Sequence, residues 1–251
     1  MRGYEPLDTL KAVAPDLWIV DGIATEPERR LARRGHPTRM VVVRLANGDL
    51  WLHAPVGHSQ WLGRDLAVQG TIRHLVAPNP RHVSGIPPWQ AAYPRAVTWA
   101  VPEVAARAAG AKAGGRAAAK IRWDRDLGAQ APGDWAGQID QVVAQGSRQH
   151  PEVAFFHRPS RTLILTDLIA NFEPERLSFW QRRRLGMAGA LDPDGRTPAD
   201  IRASFGRGKA ALRPAVERMI AWAPERVILA HGRWYDRDAV RELRRAFRWV
   251  L

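Results

Sequence analysis

The sequence contains no cysteine. Disulfides and thiolate ligation are therefore excluded, and any bound metal must be held by nitrogen and oxygen donors. Long apolar runs are missing as well: none approaches the roughly 18 consecutive residues that a bilayer-crossing helix needs. Residues 1–5 lead into polar sequence without the apolar core of a signal peptide. These absences predict a soluble, cytoplasmic chain. Lysine is scarce, so the net charge of +13 rests mostly on arginine, scattered rather than blocked. Such a balance attracts polyanions or acidic lipid surfaces. No helix-turn-helix, RNP or zinc-finger pattern accompanies it, which argues against specific nucleic-acid recognition and for an anionic small-molecule partner.

What is present is a β-rich chain of 251 residues without linker composition, expected to form one domain, 1–251. Apolar or alternating runs at 17–20, 39–45 and 49–53 read as antiparallel strands, with Asn47-Gly48 as the tight turn between the last two. A helix at 59–68, a strand at 72–76, a helix near 87–92, a strand at 97–100 and a helix at 102–109 follow in β-then-α order. Residues 105–119 read as helix end and surface loop. Strands at 139–144, 153–157, 162–166 and 227–230 and a last helix at 238–249 form a second series. The layout predicts an α/β (α+β) fold of four layers, an αββα sandwich with its site at the sheet edge between the halves.

Three ionisable residues recur in one context. His82, Asp167 and His231 each lie just beyond an apolar run that reads as a buried strand. Two imidazoles and one carboxylate delivered to one sheet edge suffice to hold a divalent ion with positions left open.

The segment Val76-Ala77-Pro78-Asn79-Pro80-Arg81-His82-Val83-Ser84-Gly85 resembles the H-x-H-x-D-H metal motif of the metallo-β-lactamase superfamily in spacing. Ala77, Asn79 and Arg81 stand where two histidines and the aspartate would be, and His82 alone is retained. Thr166-Asp167-Leu168 resembles the T-G-D-L segment with its metal-bridging aspartate, and Ala230-His231-Gly232 the terminal G-H-G. A further histidine is expected shortly before the Asp167 strand; Gly146-Ser147-Arg148 occupies that place, and this ligand reads as lost. Pro6-Leu7-Asp8-Thr9-Leu10-Lys11, Leu17-Trp18-Ile19-Val20-Asp21-Gly22 and Phe155-Phe156-His157-Arg158-Pro159-Ser160-Arg161-Thr162-Leu163 are similar to one branch of that superfamily, a domain of unknown function. The resemblance covers nearly the whole chain and implies the αββα fold. It implies chemistry less well, because the departures fall on the metal ligands.

Two readings of the site stand. In the first, His82, Asp167 and His231 hold one zinc, iron or manganese ion, His82 and Asp167 are the catalytic pair with Asp167 accepting a proton from water, and Arg81 and Arg148 attract an anionic ester or phosphate. An inward-facing Arg81 at roughly 5 Å would oppose a divalent ion by about 6 kcal/mol at an effective dielectric near 20. In the second, the protein is metal-free and binds or regulates, with Arg81 pairing to Asp167. His53 is a candidate buttress or substrate contact, against the commoner role of a satisfied core histidine. Asn79 could offer its carbonyl oxygen to substrate, against the commoner role of a turn residue. His157 is assigned to the 158–160 turn; His58 and His150 receive no partner.

Residues 170–206 form a candidate lid or surface insertion. Within them 177–185 reads as amphipathic and basic, which would cover the site, dock to an acidic partner or membrane surface, or simply solvate its arginines. Of the tryptophans, Trp89 and Trp234 are candidate pocket walls, with ordinary packing the stronger expectation.

Overall fold

The computed structural model describes residues 1, 3–24, 36–104, 121–147 and 149–251. The chain divides into two compact units, Met1–Leu127 and Gly128–Leu251.

In the first unit, β1 (Leu10–Ala14), β2 (Leu17–Ala24), β3 (His36–Arg44), β4 (Asp49–His53), β5 (Thr71–Ala77), β6 (Val97–Ala100) and β7 (Arg125–Asp126) form a sheet in sequence order. Neighbours are antiparallel up to β4 and parallel from β4 onward. The β3–β4 hairpin closes where expected, with Asn47 Oδ1 accepting the Asp49 N–H at 3.0 Å. The change to parallel pairing requires crossovers, and the chain supplies helices. Between β4 and β5 lies α1 (Gln60–Gln69), opened by Ser59, whose hydroxyl accepts the Leu62 N–H, and packed through Leu62 and Leu66. Between β5 and β6 lies α2 (Ile86–Ala92), which buries Ile86 and Trp89. The expected helix at 102–109 is described only to residue 104, and the expected loop at 105–119 lies outside the described residues.

The second unit carries β8 (Ile139–Ala144), β9 (Glu152–His157), β10 (Thr162–Leu165) and β11 (Arg226–Leu229) in the sheet order β11-β10-β9-β8. β10 and β11 run parallel, and β8 and β10 both run antiparallel to β9. Every residue of β9 and β10 is buried, with apolar centres and the polar residues Glu152, His157 and Thr162 at strand ends. Their core partners are Leu212, Val216 and Met219 of a helix the sequence reading missed (residues 209–221) and Leu243 and Phe247 from the C-terminal helical segment. Each such side chain contributes about 1.5–3 kcal/mol on burial. Pro214 lies inside the missed helix, the kind of residue that makes a helix hard to read from sequence.

The helices of this unit are α3 (Phe179–Ala188), α4 (Ala199–Phe205), α5 (Lys209–Ala221) and α6 (Ala239–Ala246). α3 covers most of the segment read as amphipathic and basic; it buries none of its residues, and Phe179, Trp180 and Met187 are exposed. A capping box between Ser178 and Gln181 forms its first turn, so local capping rather than a packed apolar face defines it.

Candidate metal centre

In the second unit the register of the sheet places the chemistry. β10 and β11 pair in parallel with Leu165 opposite Leu229, and Asp167 and His231 each follow their strand by two residues. Parallel pairing therefore delivers both to one sheet edge, where His231 Nε2 lies 3.1 Å from Asp167 Oδ1. β9 runs the other way, so its first residue, Glu152, starts at the edge where β10 ends.

Glu152 is fully buried. Its two carboxylate oxygens accept the backbone N–H groups of Thr166 and Asp167 at 2.9 and 3.0 Å. The same carboxylate lies 3.3 Å from His150 Nε2, which is itself 3.8 Å from Asp167 Oδ2. His150 is thus the residue that sequence reasoning missed. The sequence places Gly146-Ser147-Arg148 where a further histidine is expected; His150 lies two residues beyond, and the buried cluster His150, Glu152, Asp167 has donor atoms all within 4.8 Å of one another. The signal was the His150-Pro151-Glu152 spacing at the mouth of an apolar strand: a carboxylate starting a wholly buried run needs partners. Arg148 lies outside the described residues.

Four further hydrogen bonds surround the histidines. The His150 N–H donates to Ser147 Oγ at 3.0 Å, and Ser147 Oγ bonds Ser204 of α4 at 2.8 Å. On the other side, the Asn171 N–H donates to the His231 carbonyl at 3.1 Å, and the Asn171 carbonyl accepts from Arg233 at 2.8 Å. Gly232 lies between these two bonds at φ +91°, where a Cβ would fall 2.1 Å from the Asn171 carbonyl oxygen. Glycine is required there on both counts.

In the first unit, His53 ends β4 and pairs in register with Val76 of β5, the strand that leads to Asn79 and His82. His53 is buried and stacks on Trp51 with ring centroids 5.4 Å apart. Burial, and secondarily the charge of His82, pushes its pKa down to about 3, so it is a neutral imidazole at physiological pH. Asn79 is fully buried, and its Oδ1 accepts the N–H groups of Arg81 at 2.8 Å and His82 at 3.2 Å. The turn role of Asn79 is the one its geometry displays, and it fixes the backbone that carries His82. His82 is partly exposed and Arg81 exposed. Trp89 is core, donating its indole N–H to the Val56 carbonyl at 2.7 Å, and Trp234 packs against the second unit's core. His157 Nδ1 meets Ser160 Oγ at 2.7 Å in the expected turn, and His58 sets its ring edge-on to Trp89.

The architecture is that of the metallo-β-lactamases. Solved structures similar to this chain include the DIM-1 metallo-β-lactamase exposed to ceftazidime, at 14% identity and TM-score 0.62 with 97% of each chain covered. A metallo-β-lactamase from Pontibacter korlensis aligns at 13% identity and TM-score 0.60, covering 96% of this chain and 98% of its own. FIM-1 from Pseudomonas aeruginosa, in its mono-zinc form, aligns at 11% identity and TM-score 0.62, covering 96% and 94%. At such identities the likeness establishes the fold alone, and the expected α/β metallo-β-lactamase-like class is borne out. Within that class the chain belongs to the family described as domain of unknown function (DUF4336), which matches residues 26–186. No curated protein matches it. Among the described residues, no helix is long and apolar enough to cross a membrane.

Proposed function

We propose that the protein is a hydrolase that uses one divalent metal ion on an anionic small molecule. The observation that carries this reading is the burial of two carboxylates, Glu152 and Asp167, in one cluster with His150. Two unit charges of like sign within 4.8 Å of each other repel by about 3 kcal/mol or more at an effective dielectric near 20. Two backbone N–H groups offset part of this at Glu152, and a cation beside Asp167 would offset the rest.

The donor chemistry fits such an ion: imidazole nitrogens and carboxylate oxygens without thiolates suit zinc, iron or manganese. His150, Asp167 and His231 would hold it, with Glu152 orienting rather than ligating because both its oxygens already accept backbone N–H groups. When bound, the ion supplies Lewis acidity to the ester or phosphoryl group. Asp167 would take the proton from the attacking water, and the chain's excess of arginine attracts the substrate's negative charge.

One observation favours a second reading, a metal-free binding protein: the contacts of His150 with Glu152 and of His231 with Asp167 already pair these groups without an ion. Elemental analysis of protein purified without chelator or affinity-tag metal separates the two. The hydrolase reading expects about one ion per chain, lost in Asp167→Asn and lowered in His150→Ala. A metal-free protein whose unfolding ignores chelators overturns it.

A further inference from the structure

Residues 173–190 leave the second unit as an excursion pinned at its base. The Phe172 N–H donates to the Ala190 carbonyl at 2.8 Å, and the Asp192 N–H donates to the Phe172 carbonyl at 2.9 Å. On this base stands α3, closed at one end by its capping box and at the other by Gly189 in the left-handed conformation. A capped helix that buries nothing has its conformation without having spent its side chains on the core.

Helical spacing divides those side chains. Gln181, Leu185 and Ala188 are the half-buried side, whereas Phe179, Arg183 and Met187 follow each other at intervals of four, with Trp180 and Arg184 alongside. Phe179, Trp180 and Met187 are 69, 74 and 71% exposed. α3 contains no acidic residue, and among the described residues no carboxylate forms an ion pair with Arg182, Arg183 or Arg184. One outward face therefore combines large apolar side chains with three cationic ones. Neither water nor an uncharged apolar partner satisfies both sets. The interface of an anionic bilayer does: aromatic rings settle at headgroup level, and guanidinium groups meet phosphates bidentately.

We propose that α3 is a peripheral docking element for an anionic lipid surface, with Phe179, Trp180 and Met187 entering the headgroup layer and Arg182, Arg183 and Arg184 pairing with lipid phosphates. The surface is independent of any metal at the histidine cluster. It explains why a helix with this composition turns its aromatic residues outward and why the excursion is fastened at both strands of its base.

The test is co-sedimentation of the intact protein with vesicles at physiological ionic strength. Vesicles of equimolar phosphatidylglycerol and phosphatidylcholine are expected to bind it, and pure phosphatidylcholine vesicles are not. Reversing Arg182, Arg183 and Arg184 together to Glu is expected to lower partitioning by about a hundredfold or more. Phe179→Ser with Trp180→Ser is expected to abolish most binding at unchanged charge. A control reversing the exposed Arg237, Arg241 and Arg244 to Glu matches the charge change elsewhere, and circular dichroism confirms that each variant is folded. Absence of binding to the anionic vesicles overturns the proposal, as do equal losses in the control and α3 charge variants. Self-association of the lipid-free protein that the Phe179/Trp180 variant removes also overturns it, by assigning the face to a second copy of the chain.

Discussion

The carboxylate of Glu152 accepts the backbone N–H of Asp167 at 3.0 Å, and that of the neighbouring Thr166 at 2.9 Å. A side chain at the start of one strand thereby fixes the backbone at the end of the antiparallel strand beside it, where the chain turns Asp167 toward His231. Glu152→Gln keeps the shape but offers an amide nitrogen to one of two N–H donors. A buried donor left without an acceptor costs about 1–3 kcal/mol, and the loss of charge assistance places the expected cost at the upper end. Urea unfolding of wild type and variant measures it; a change below about 0.5 kcal/mol would contradict the pinning role.

Metal should stabilise the protein if the cluster binds it. At a free zinc concentration of about 100 times Kd, linkage gives about 2.7 kcal/mol, and each kcal/mol raises Tm by roughly 2–4 °C in a chain of this size. The expected rise disappears in Asp167→Asn and shrinks in His150→Ala. Thermal unfolding with and without zinc reads it directly. Equal rises in all three proteins would place the ion elsewhere.

The depressed pKa of His53 makes stability pH-dependent in a defined window. The folded pKa is about 3 and the ordinary value 6.5, so below 6.5 the unfolded chain takes up a proton that the folded chain refuses. Stability is thus fully present above pH 6.5 and falls as the pH drops toward 3, by about 1.4 kcal/mol per unit. Carboxylates titrate in the same range, so the informative quantity is a difference. His53→Phe removes the imidazole, and wild type should lose stability relative to the variant by that slope between pH 6 and 4. Parallel pH profiles would show that His53 is not held neutral.

The parts legible in the sequence are those with one dominant local cause. Residues 97–100 and 139–144 coincide with β6 and β8 because apolar runs bounded by turn residues have few other options. Asp167 and His231 were found because both follow such runs. His150 was not, because its partners lie across the sheet and only the pairing of β9 with β10 brings them together. Asn171 is not legible for the same reason: it holds the His231 loop from 60 residues away in sequence, through backbone bonds and a side-chain amide that donates to the Arg233 carbonyl at 3.0 Å. For α3 the sequence left several orientations open, because composition does not say whether aromatic and basic residues turn inward or outward.

Asn79 and its turn give a prediction in the first unit. Its Oδ1 accepts from both Arg81 and His82, so Asn79→Ala leaves two N–H groups beside a buried position without that acceptor. The expected loss is about 1–3 kcal/mol, and Asn79→Asp, which keeps an oxygen in place, should recover part of it. Hydrogen exchange at the Arg81 and His82 amides should speed up in the alanine variant and stay slow in the aspartate variant. Similar exchange in both would mean the turn holds without the side chain.

Gly232 offers the sharpest separation of backbone from side-chain effects near the cluster. An added methyl would meet the Asn171 carbonyl oxygen at 2.1 Å, and φ is +91°, where an L side chain is strained whatever the space. In Gly232→Ala the segment at 231–233 must move away from Asn171, breaking the bond from the Asn171 N–H to the His231 carbonyl at 3.1 Å. The atoms nearest the methyl are backbone atoms of Asn171 and Phe172, so the clash acts first on the backbone that carries His231. We expect a stability loss of about 2 kcal/mol or more. Zinc affinity, measured by competition with a chelator on the folded fraction, should fall at least tenfold while His150→Ala in the same background adds its own loss. Unaltered zinc affinity in a folded Gly232→Ala protein would remove His231 from the donor set.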